Sequence, residues 1–426
     1  MDSFLTDDTK AIILLCGIFG KDHVTKPLIP SEYNTLARWL VREELRPESL
    51  LQMGDLSTVA AGSGIDRDRL TRLLDRGIQL GFAIEEWQRS GLWIISRSDP
   101  EYPSRYKAHL RDKAPPLLFG AGDKSLLRGG GLAIVGSRNV DFEGEEFTRK
   151  VGEECAQNGM PVVSGAARGV DQIAMRSALE AGGKTIGIMA DNLLKASIER
   201  HARYAIAEGQ LLLLSPYHPK ARFTVGSAMG RNKLIYAMAD YALVVSADHK
   251  KGGTWAGAEE ELKREKSRAV FVRTGENVPP GNMKLLDLGA QEWPENINSG
   301  ELLTQLADLA DQRPEPAEAE PETLNLFDFQ SSSASSVTQK PEEKPTEQIP
   351  PETESVVSTR ETQPSTVYEA VLPVLLTHLK DPVSADDLST SIDVAKGQLN
   401  GWLKKAVADG VVKKHKNPVR YSVKRG

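Results

Sequence analysis

The sequence predicts an α/β fold: an extended Rossmann-like, doubly wound parallel sheet with an N-terminal helical domain and a C-terminal winged-helix domain. Three observations support it. Short apolar, β-rich runs alternate with helix-patterned stretches in the middle of the chain, the first 90 residues show helical periodicity, and a stretch rich in Pro, Ser and Glu precedes a basic final segment. The predicted domains are residues 1–90, 91–312 and 366–426, with a disordered acidic linker at 313–365.

Composition limits the class of protein. The chain has 426 residues, of which 40% are hydrophobic and 26% charged, and no apolar run reaches the roughly 18 residues of a membrane helix. Cys16 and Cys155 alone cannot form a disulfide framework or a zinc site. Residues 11–19 are apolar but lack the basic flank of a secretory signal. We expect a cytoplasmic protein without metal, cofactor or membrane partner.

The net charge of −6 conceals an uneven distribution. Residues 314–365 carry a net charge of −8, so the remainder of the chain is slightly basic. The acidic pI of 5.8 therefore does not exclude a nucleic-acid partner, because the charge of a linker is not the charge of a binding face.

The first region is helical, with predicted helices at 31–46, 56–61 and 67–81 and a Gly-Ser-Gly turn at 62–64. This pattern fits a helix-hairpin-helix relative that grips a DNA backbone, and it fits a scaffold or dimer contact equally well. A short strand at 92–96 and a turn-rich connector lead into the central domain.

The central domain supplies the parallel sheet. Six strands, each next to a helical stretch, are predicted at 132–135, 161–163, 185–189, 211–214, 241–245 and 269–272. Ligands of doubly wound sheets bind at the carboxyl ends of the strands, so the residues that follow each strand are the candidates for function.

Three loops at this edge combine glycine with cations, after the first, second and fifth strands, and a basic segment at 230–233 is expected at the start of the helix before the fifth. Glycine permits close backbone approach, helix N-termini attract anions, and arginine can bind a phosphate with two donors. Each loop alone also fits a tight turn with a solvated cation, but together they favour a phosphate-rich ligand. The candidate DNA- or phosphate-binding residues are Gly136, Ser137, Arg138, Ser164, Gly165, Arg168, Gly169, Arg231, Asn232, Lys233, Lys250, Lys251, Gly252, Gly253 and Thr254.

No dinucleotide fingerprint and no P-loop accompanies these loops, so NAD and ATP chemistry are not predicted. The segments 133–138 (Ala-Ile-Val-Gly-Ser-Arg), 164–171 (Ser-Gly-Ala-Ala-Arg-Gly-Val-Asp), 99–103 (Asp-Pro-Glu-Tyr-Pro) and 231–233 (Arg-Asn-Lys) resemble motifs of the DNA-processing protein A (DprA/Smf) family. The resemblance covers roughly residues 90–292.

This resemblance implies a protein that binds single-stranded DNA, usually as a homodimer, and loads a RecA-type recombinase during transformation and recombination, without catalysis. It implies that Arg138 and Arg231 contact phosphate, so replacing either is expected to weaken binding without changing stability. Ala228-Met229 stands where the family has Phe-Pro; Phe223 and Tyr217 are the aromatic candidates for base stacking, or they pack beneath a loop. Asp171 is expected to orient its loop.

Two other functions remain open. Gly252-Gly253-Thr254 followed by Glu259 is similar to the loop of cytokinin-type nucleotide phosphoribohydrolases, in which a carboxylate acts on an N-glycosidic bond. The spacing differs, however, and residues 259–261 also fit the acidic half of a solvated helix. A DNA-sensing defence protein would use the same binding face.

The final segment predicts helices at 367–379, 384–388 and 396–408 and a hairpin at 411–423, which together form a winged helix. From residue 366 the net charge is +4, which suits DNA, although winged helices also dock proteins.

The linker generates one prediction. Its apolar cluster Thr323, Leu324, Asn325, Leu326 and Phe327 resembles the Gln-Leu-x-Leu-Phe peptide that hooks bacterial proteins to the replication sliding clamp; chance or docking on this protein's own domain is the alternative. A peptide of residues 320–330 should bind the clamp with micromolar-scale affinity in a titration and lose binding when Leu326 and Phe327 become alanine. Equal binding by both peptides, or by neither, would make this segment a plain spacer.

Overall fold

The computed structural model describes residues 5–19, 25–294, 300–312 and 367–423, the last range with gaps at 380, 392–398, 400–401, 404, 408 and 416–419. The chain divides into two compact units, Met1–Leu324 and Asn325–Gly426. The linker and its clamp-like motif lie outside the described residues.

Five helices open the first unit: α1 (Asp7–Cys16), α2 (Pro30–Arg42), α3 (Ser57–Ser63), α4 (Arg67–Leu74) and α5 (Gly77–Arg89). Residues 11–16 of the apolar stretch form the second half of α1, and seven of the ten residues of this helix are buried. Helix α2 ends four residues earlier than predicted, where Glu44 adopts a positive φ of 58°.

The prediction of one helix at 67–81 is wrong, because the chain leaves the helix between α4 and α5. There the buried Arg76 side chain turns inward, and its Nη2 donates to the carbonyls of Leu14 and Gly17 at the end of α1.

Nine strands form one sheet: β1 (Trp93–Ser96), β2 (Leu117–Ala121), β3 (Leu132–Gly136), β4 (Val162–Ser164), β5 (Thr185–Ile188), β6 (Leu211–Ser215), β7 (Tyr241–Ser246), β8 (Ala269–Val272) and β9 (Gln291–Glu292). Their order is β1-β2-β6-β5-β4-β3-β7-β8-β9. The neighbours from β6 to β9 are parallel, which confirms the six predicted strands as β3 to β8.

The chain reverses direction across the sheet after β6. It lays β3, β4, β5 and β6 side by side one way, and then returns to place β7 on the free side of β3. The boundary between β3 and β7 is therefore the topological switch point, where open α/β sheets form their ligand crevice.

Two strands were missed. Strand β2 follows Pro115 and Pro116, a sequence typical of a connector, and it pairs antiparallel with both β1 and β6. Strand β9 is only two residues long. Neither pattern is long enough to be distinguished from a loop.

Helices cover both faces of the sheet, as the alternating burial of the strands requires. One face packs against α6 (Ser104–Leu110), α11 (Val225–Met238), α12 (Gly252–Leu262) and α13 (Pro280–Asp287). The other packs against α7 (Phe142–Gln157), α8 (Val170–Glu180), α9 (Leu193–Ile198), α10 (Arg200–Ala207), α14 (Leu302–Asp311) and the N-terminal helices. This arrangement confirms the predicted Rossmann-like, doubly wound sheet. The predicted domain boundary at residue 90 stays a prediction.

The second unit contains α15 (Val367–His378), α16 (Ala385–Ser391) and the antiparallel pair β10 (Val412–His415) and β11 (Arg420–Val423). Its small core includes Leu375, Leu388 and Leu403. The predicted hairpin is confirmed by this pairing, whereas much of the predicted third helix lies outside the described residues.

Within the described part of the chain, every helix is too short or too polar to cross a bilayer.

Candidate nucleic-acid interface

A cleft of about 430 Å³ opens at the switch point, between the carboxyl ends of β3 and β7 and the helices α11 and α12. This is the place that the topology predicts for a ligand. Nine of the fifteen candidate residues line it: Gly136, Ser137, Arg138, Arg231, Asn232, Lys251, Gly252, Gly253 and Thr254. The lining does not include Ser164, Gly165, Arg168, Gly169, Lys233 or Lys250.

The outer wall of the cleft pairs a cation with an aromatic ring. Arg138 is exposed, and its guanidinium carbon lies 5.4 Å from the centroid of the Phe223 ring, which is itself 47% exposed. This wall offers a charge to a phosphate and a ring face to a base. Tyr217, the other aromatic candidate, is partly buried, and its hydroxyl donates to the Ser227 carbonyl at 3.1 Å. The first turn of α11 therefore holds the Tyr217 hydroxyl.

Arg231 forms the floor of the cleft instead of its rim. Helix α11 begins at Val225, so Arg231 lies in its second turn and not at its start, as the sequence suggested. The residue is 5% exposed; its Nη1 donates to the Ile188 carbonyl at 3.1 Å and lies 3.9 Å from Oδ2 of Asp171. Burial lowers the pKa of Arg231, and the Asp171 carboxylate opposes that shift.

The carboxylate of Asp171 accepts hydrogen bonds from the loops beneath the cleft. Burial raises the pKa of its carboxyl to about 6, against the opposing effects of Arg231 and of the backbone amides of Ala167, Gly165 and Gly136, which donate to it. The Ala167 amide donates to Oδ2 at 3.4 Å. These amides belong to the loops that the sequence predicted to bind phosphate. In the structure they donate to the carboxylate of Asp171 instead.

The loop after β4 supports the floor. Ser164 is fully buried and its hydroxyl donates to the Ile134 carbonyl at 2.6 Å, so it cannot contact a ligand as the sequence suggested. A Cβ on Gly165 would lie 1.4 Å from Nη1 of Arg231. Gly169 has a φ of +86°, and a Cβ there would lie 2.4 Å from the Ser137 carbonyl oxygen. These glycines are required by close approach within the protein.

Two side chains brace the cleft walls. Nδ2 of Asn232 donates to the Gly253 carbonyl at 3.0 Å, which joins α11 to the start of α12. The Thr254 hydroxyl donates to the Gly136 carbonyl at 3.1 Å, which joins α12 to the end of β3. Both residues therefore position the cleft as well as lining it.

The remaining cations differ in availability. Arg168 is exposed and donates to the neutral amide oxygen of Asn139, while Lys250 and Lys251 are exposed in the loop before α12. Lys233 is paired with Glu260 at 3.0 Å, which neutralises it outside the cleft. Within the described chain, Arg138, Arg168, Lys250 and Lys251 thus form a rim of cations with no ion pair to a carboxylate.

Sequence reasoning missed the apolar part of the wall. Val225 and Met229 line the cleft and are 74% and 37% exposed. Their i, i+4 spacing on α11 was the available signal, since exposed apolar pairs on a helix often mark a contact surface. The exposed Arg222, next to Phe223, was also missed.

The comparison with protein families decides the identity of this domain. The model of "DNA recombination-mediator protein A" matches residues 93–302, the segment from β1 to α14 that builds the cleft. This segment belongs to the DNA recombination-mediator protein A family.

Curated relatives carry the same family names. "DNA processing protein DprA" of Bacillus subtilis (strain 168) is 29% identical over 211 residues, which are 48% of this chain and 69% of the relative. "Protein Smf" of Escherichia coli (strain K12) is 31% identical over 170 residues, 39% of this chain and 45% of the relative. The chain therefore spans between about half and two thirds of the length of these relatives.

A solved structure supports the fold. The crystal structure of DNA processing protein A from Streptococcus pneumoniae has a TM-score of 0.55 to this chain at 23% identity, covering 71% of this chain and 98% of that one. The described residues of the family domain include no cluster of three or more His, Cys, Asp or Glu that would hold a metal ion.

Arg138 and Arg231 are expected to respond differently to replacement by alanine. Arg138→Ala should leave the free energy of unfolding within about 0.5 kcal/mol of wild type, because the side chain is exposed. Arg231→Ala should cost about 3–5 kcal/mol, because it leaves the Asp171 carboxylate buried without its cation. Urea unfolding of the two variants measures both values; equal stability would place Arg231 outside the structural floor.

Asp171 should make stability depend on pH. Its pKa is raised from 3.8 to about 6 on folding, so the folded state binds more protons between these values. The stability it contributes is present below about pH 4 and is lost as the pH rises through about 6. The unfolding free energy of wild type minus that of Asp171→Asn should therefore fall by up to about 3 kcal/mol from pH 4 to pH 7.

Asp141 provides the matched control for this measurement. It caps α7 by accepting from the Gly144 amide, and that hydrogen bond lowers its pKa. The corresponding difference for Asp141→Asn should rise with pH. A difference for Asp171→Asn that stays flat or rises with pH would contradict the assignment of a raised pKa.

Proposed function

We propose that this chain binds single-stranded DNA in the cleft at the switch point of its sheet, and that it protects the strand and passes it to a RecA-type recombinase in DNA uptake or recombination. The observation that carries the proposal is the rim of unpaired cations around a wall where Arg138 lies over Phe223. Membership of the recombination-mediator family supports the same function.

The shape of the cleft favours a single strand. Reading a duplex requires a protruding helix or ribbon that enters a groove about 12 Å wide. Here the binding surface is concave, with exposed Phe223 and Met229 available to bases that are not paired. Stacking on a ring and contacts to the backbone phosphates depend little on sequence. We therefore expect weak sequence preference.

Glu259, the carboxylate of the glycosidase alternative, lies outside the cleft, whose acidic lining residues are Asp171 and Asp248. Glu259 accepts from Nε1 of Trp255 at 2.9 Å and pairs with Lys263 at 3.2 Å, and it is not part of the lining. The prediction that residues 259–261 form a solvated face is wrong for Glu261, which is 2% exposed and hydrogen-bonded to His109 at 2.9 Å. These contacts favour a binding protein over an enzyme.

Further parts of the proposal rest on the sequence. We infer a cytoplasmic homodimer whose C-terminal unit is a winged helix that adds a second DNA contact through the exposed Lys413 and Lys414 of its hairpin. The sliding clamp is a proposed partner through residues 323–327. Defence against foreign DNA is a second role that would use the same cleft.

Binding should depend strongly on salt. If the four rim cations each neutralise one phosphate of a dT oligonucleotide of about 5 nucleotides, the slope of log affinity against log salt should be about −3. The double variant Arg138→Gln with Lys251→Gln should reduce the magnitude of that slope by about 1.4 and weaken binding. Fluorescence anisotropy at several salt concentrations measures the slope.

The matched control removes two exposed cations from the opposite, amino edge of the sheet. Arg128 precedes β3 and Lys184 precedes β5, and the double variant Arg128→Gln with Lys184→Gln should bind like wild type. Salt-independent binding, or equal losses in both double variants, would refute the cleft as the site.

A further inference from the structure

Helix α10 presents a charged and aromatic face that the cleft does not use. Arg200 and Arg203 are exposed, Tyr204 is 69% exposed, and Ile198, just before the helix, is 55% exposed. Residues at i, i+3 and i+4 share one side of a helix, so the two guanidinium groups and the ring are neighbours. We call Arg200, Arg203 and Tyr204 the α10 face.

The cations of this face have no ion-pair partner among the described residues. Several exposed arginines on other helices are paired within their own helix, as Arg149 is with Glu146 and Arg176 with Glu180. Arg200 is moreover the first residue of α10, at the positive end of the helix dipole, where a cation is unfavourable. Helix stability therefore does not explain these arginines, whereas an anionic ligand would.

Chain connectivity and backbone hydrogen bonds link the segment before α10 to the wall of the cleft. The strap of residues 216–224 leaves β6 and reaches the cleft wall at Phe223. Along its length the strap holds the start of α9: the Asn192 amide donates to the Ala221 carbonyl at 2.9 Å, and the Leu194 amide donates to the Pro219 carbonyl at 3.0 Å. Helix α9 then leads directly into α10.

The direction of α10 brings Arg200 nearest to the ligand edge. The helix ends at Ala207, and the following Gln210 carbonyl accepts from the Thr185 amide at the amino end of β5. The beginning of α10 therefore lies toward the carboxyl edge of the sheet, on the side of the cleft. About 6 Å, slightly more than one turn, separates Arg200 from Tyr204 along the helix axis.

We propose that single-stranded DNA longer than the cleft continues over the strap onto the α10 face, where Arg200 and Arg203 contact phosphates and Tyr204 stacks on a base. This inference rests on the proposed function of the cleft. It adds a second contact segment, which acts only on a strand long enough to reach it. Each added phosphate contact should raise the salt dependence of binding.

The test compares two lengths of dT on the full chain, about 5 and about 16 nucleotides. The double variant Arg200→Gln with Arg203→Gln should bind the short strand like wild type, bind the long strand at least about tenfold more weakly, and reduce the magnitude of the long-strand salt slope by about 1.4. Arg128→Gln with Lys184→Gln, which removes the same charge at the amino edge, should change neither affinity.

The aromatic contribution is tested separately. Tyr204→Ala should weaken binding of the long strand alone, by roughly fivefold or more, and Tyr204→Phe should restore it, because stacking requires the ring and not the hydroxyl. Melting temperatures of all these variants should match wild type, since the side chains are exposed.

The outcomes separate this inference from the function of the cleft. If wild type binds neither strand, the proposed function fails, and the extension with it. If wild type binds both strands and the α10 variants lose nothing, or lose both strands equally, the extension alone is overturned. It is also overturned if the variants keep long-strand affinity but change the oligomeric state in light scattering, which would make the α10 face a contact between protein chains.

Discussion

The cleft depends on one buried carboxylate. Asp171 sits where the loops after β3 and β4 meet α11, and it satisfies amides of both loops while it faces the Arg231 guanidinium. An ionised carboxylate in such a site is stabilised only by groups that are already directed at it. The loops are consequently held in one arrangement before any ligand binds, and the glycines at 165 and 169 follow from the close contacts that this arrangement imposes.

This internal charge pair divides the candidate residues into two layers. The lower layer contains Ser164, Gly165 and Arg231. The polar side chains of this layer donate hydrogen bonds to backbone carbonyls and so fix the loops. The upper layer, with Arg138 and Lys251, has exposed charges and is free to meet a flexible polyanion. A preorganised floor under an exposed cationic rim suits a ligand whose backbone is uniform and whose bases vary.

The sequence contained most of the architecture but less of the site. All six parallel strands were predictable, because each is a short apolar run bounded by turn residues, and the location of the ligand edge followed from topology alone. The depth of Arg231 was not predictable, because a basic residue in a glycine-rich helix segment has the same local pattern whether it faces solvent or a buried carboxylate. Strand β2 was missed because its five residues follow two prolines and are too few to be distinguished from a loop.

The packing of the N-terminal helices has a consequence for the limits of the domain. The family match begins at residue 93, yet side chains of α1, α2 and α5 share one continuous hydrophobic core with Ile94, Phe119 and Leu213 of the sheet. A chain cut at the start of the family match would expose the part of this face that the N-terminal helices cover, and exposed apolar surface of that kind promotes association. The segment that matches the family and the unit that shares one buried core therefore begin at different residues, and the helices before β1 complete a core to which the sheet contributes the other side.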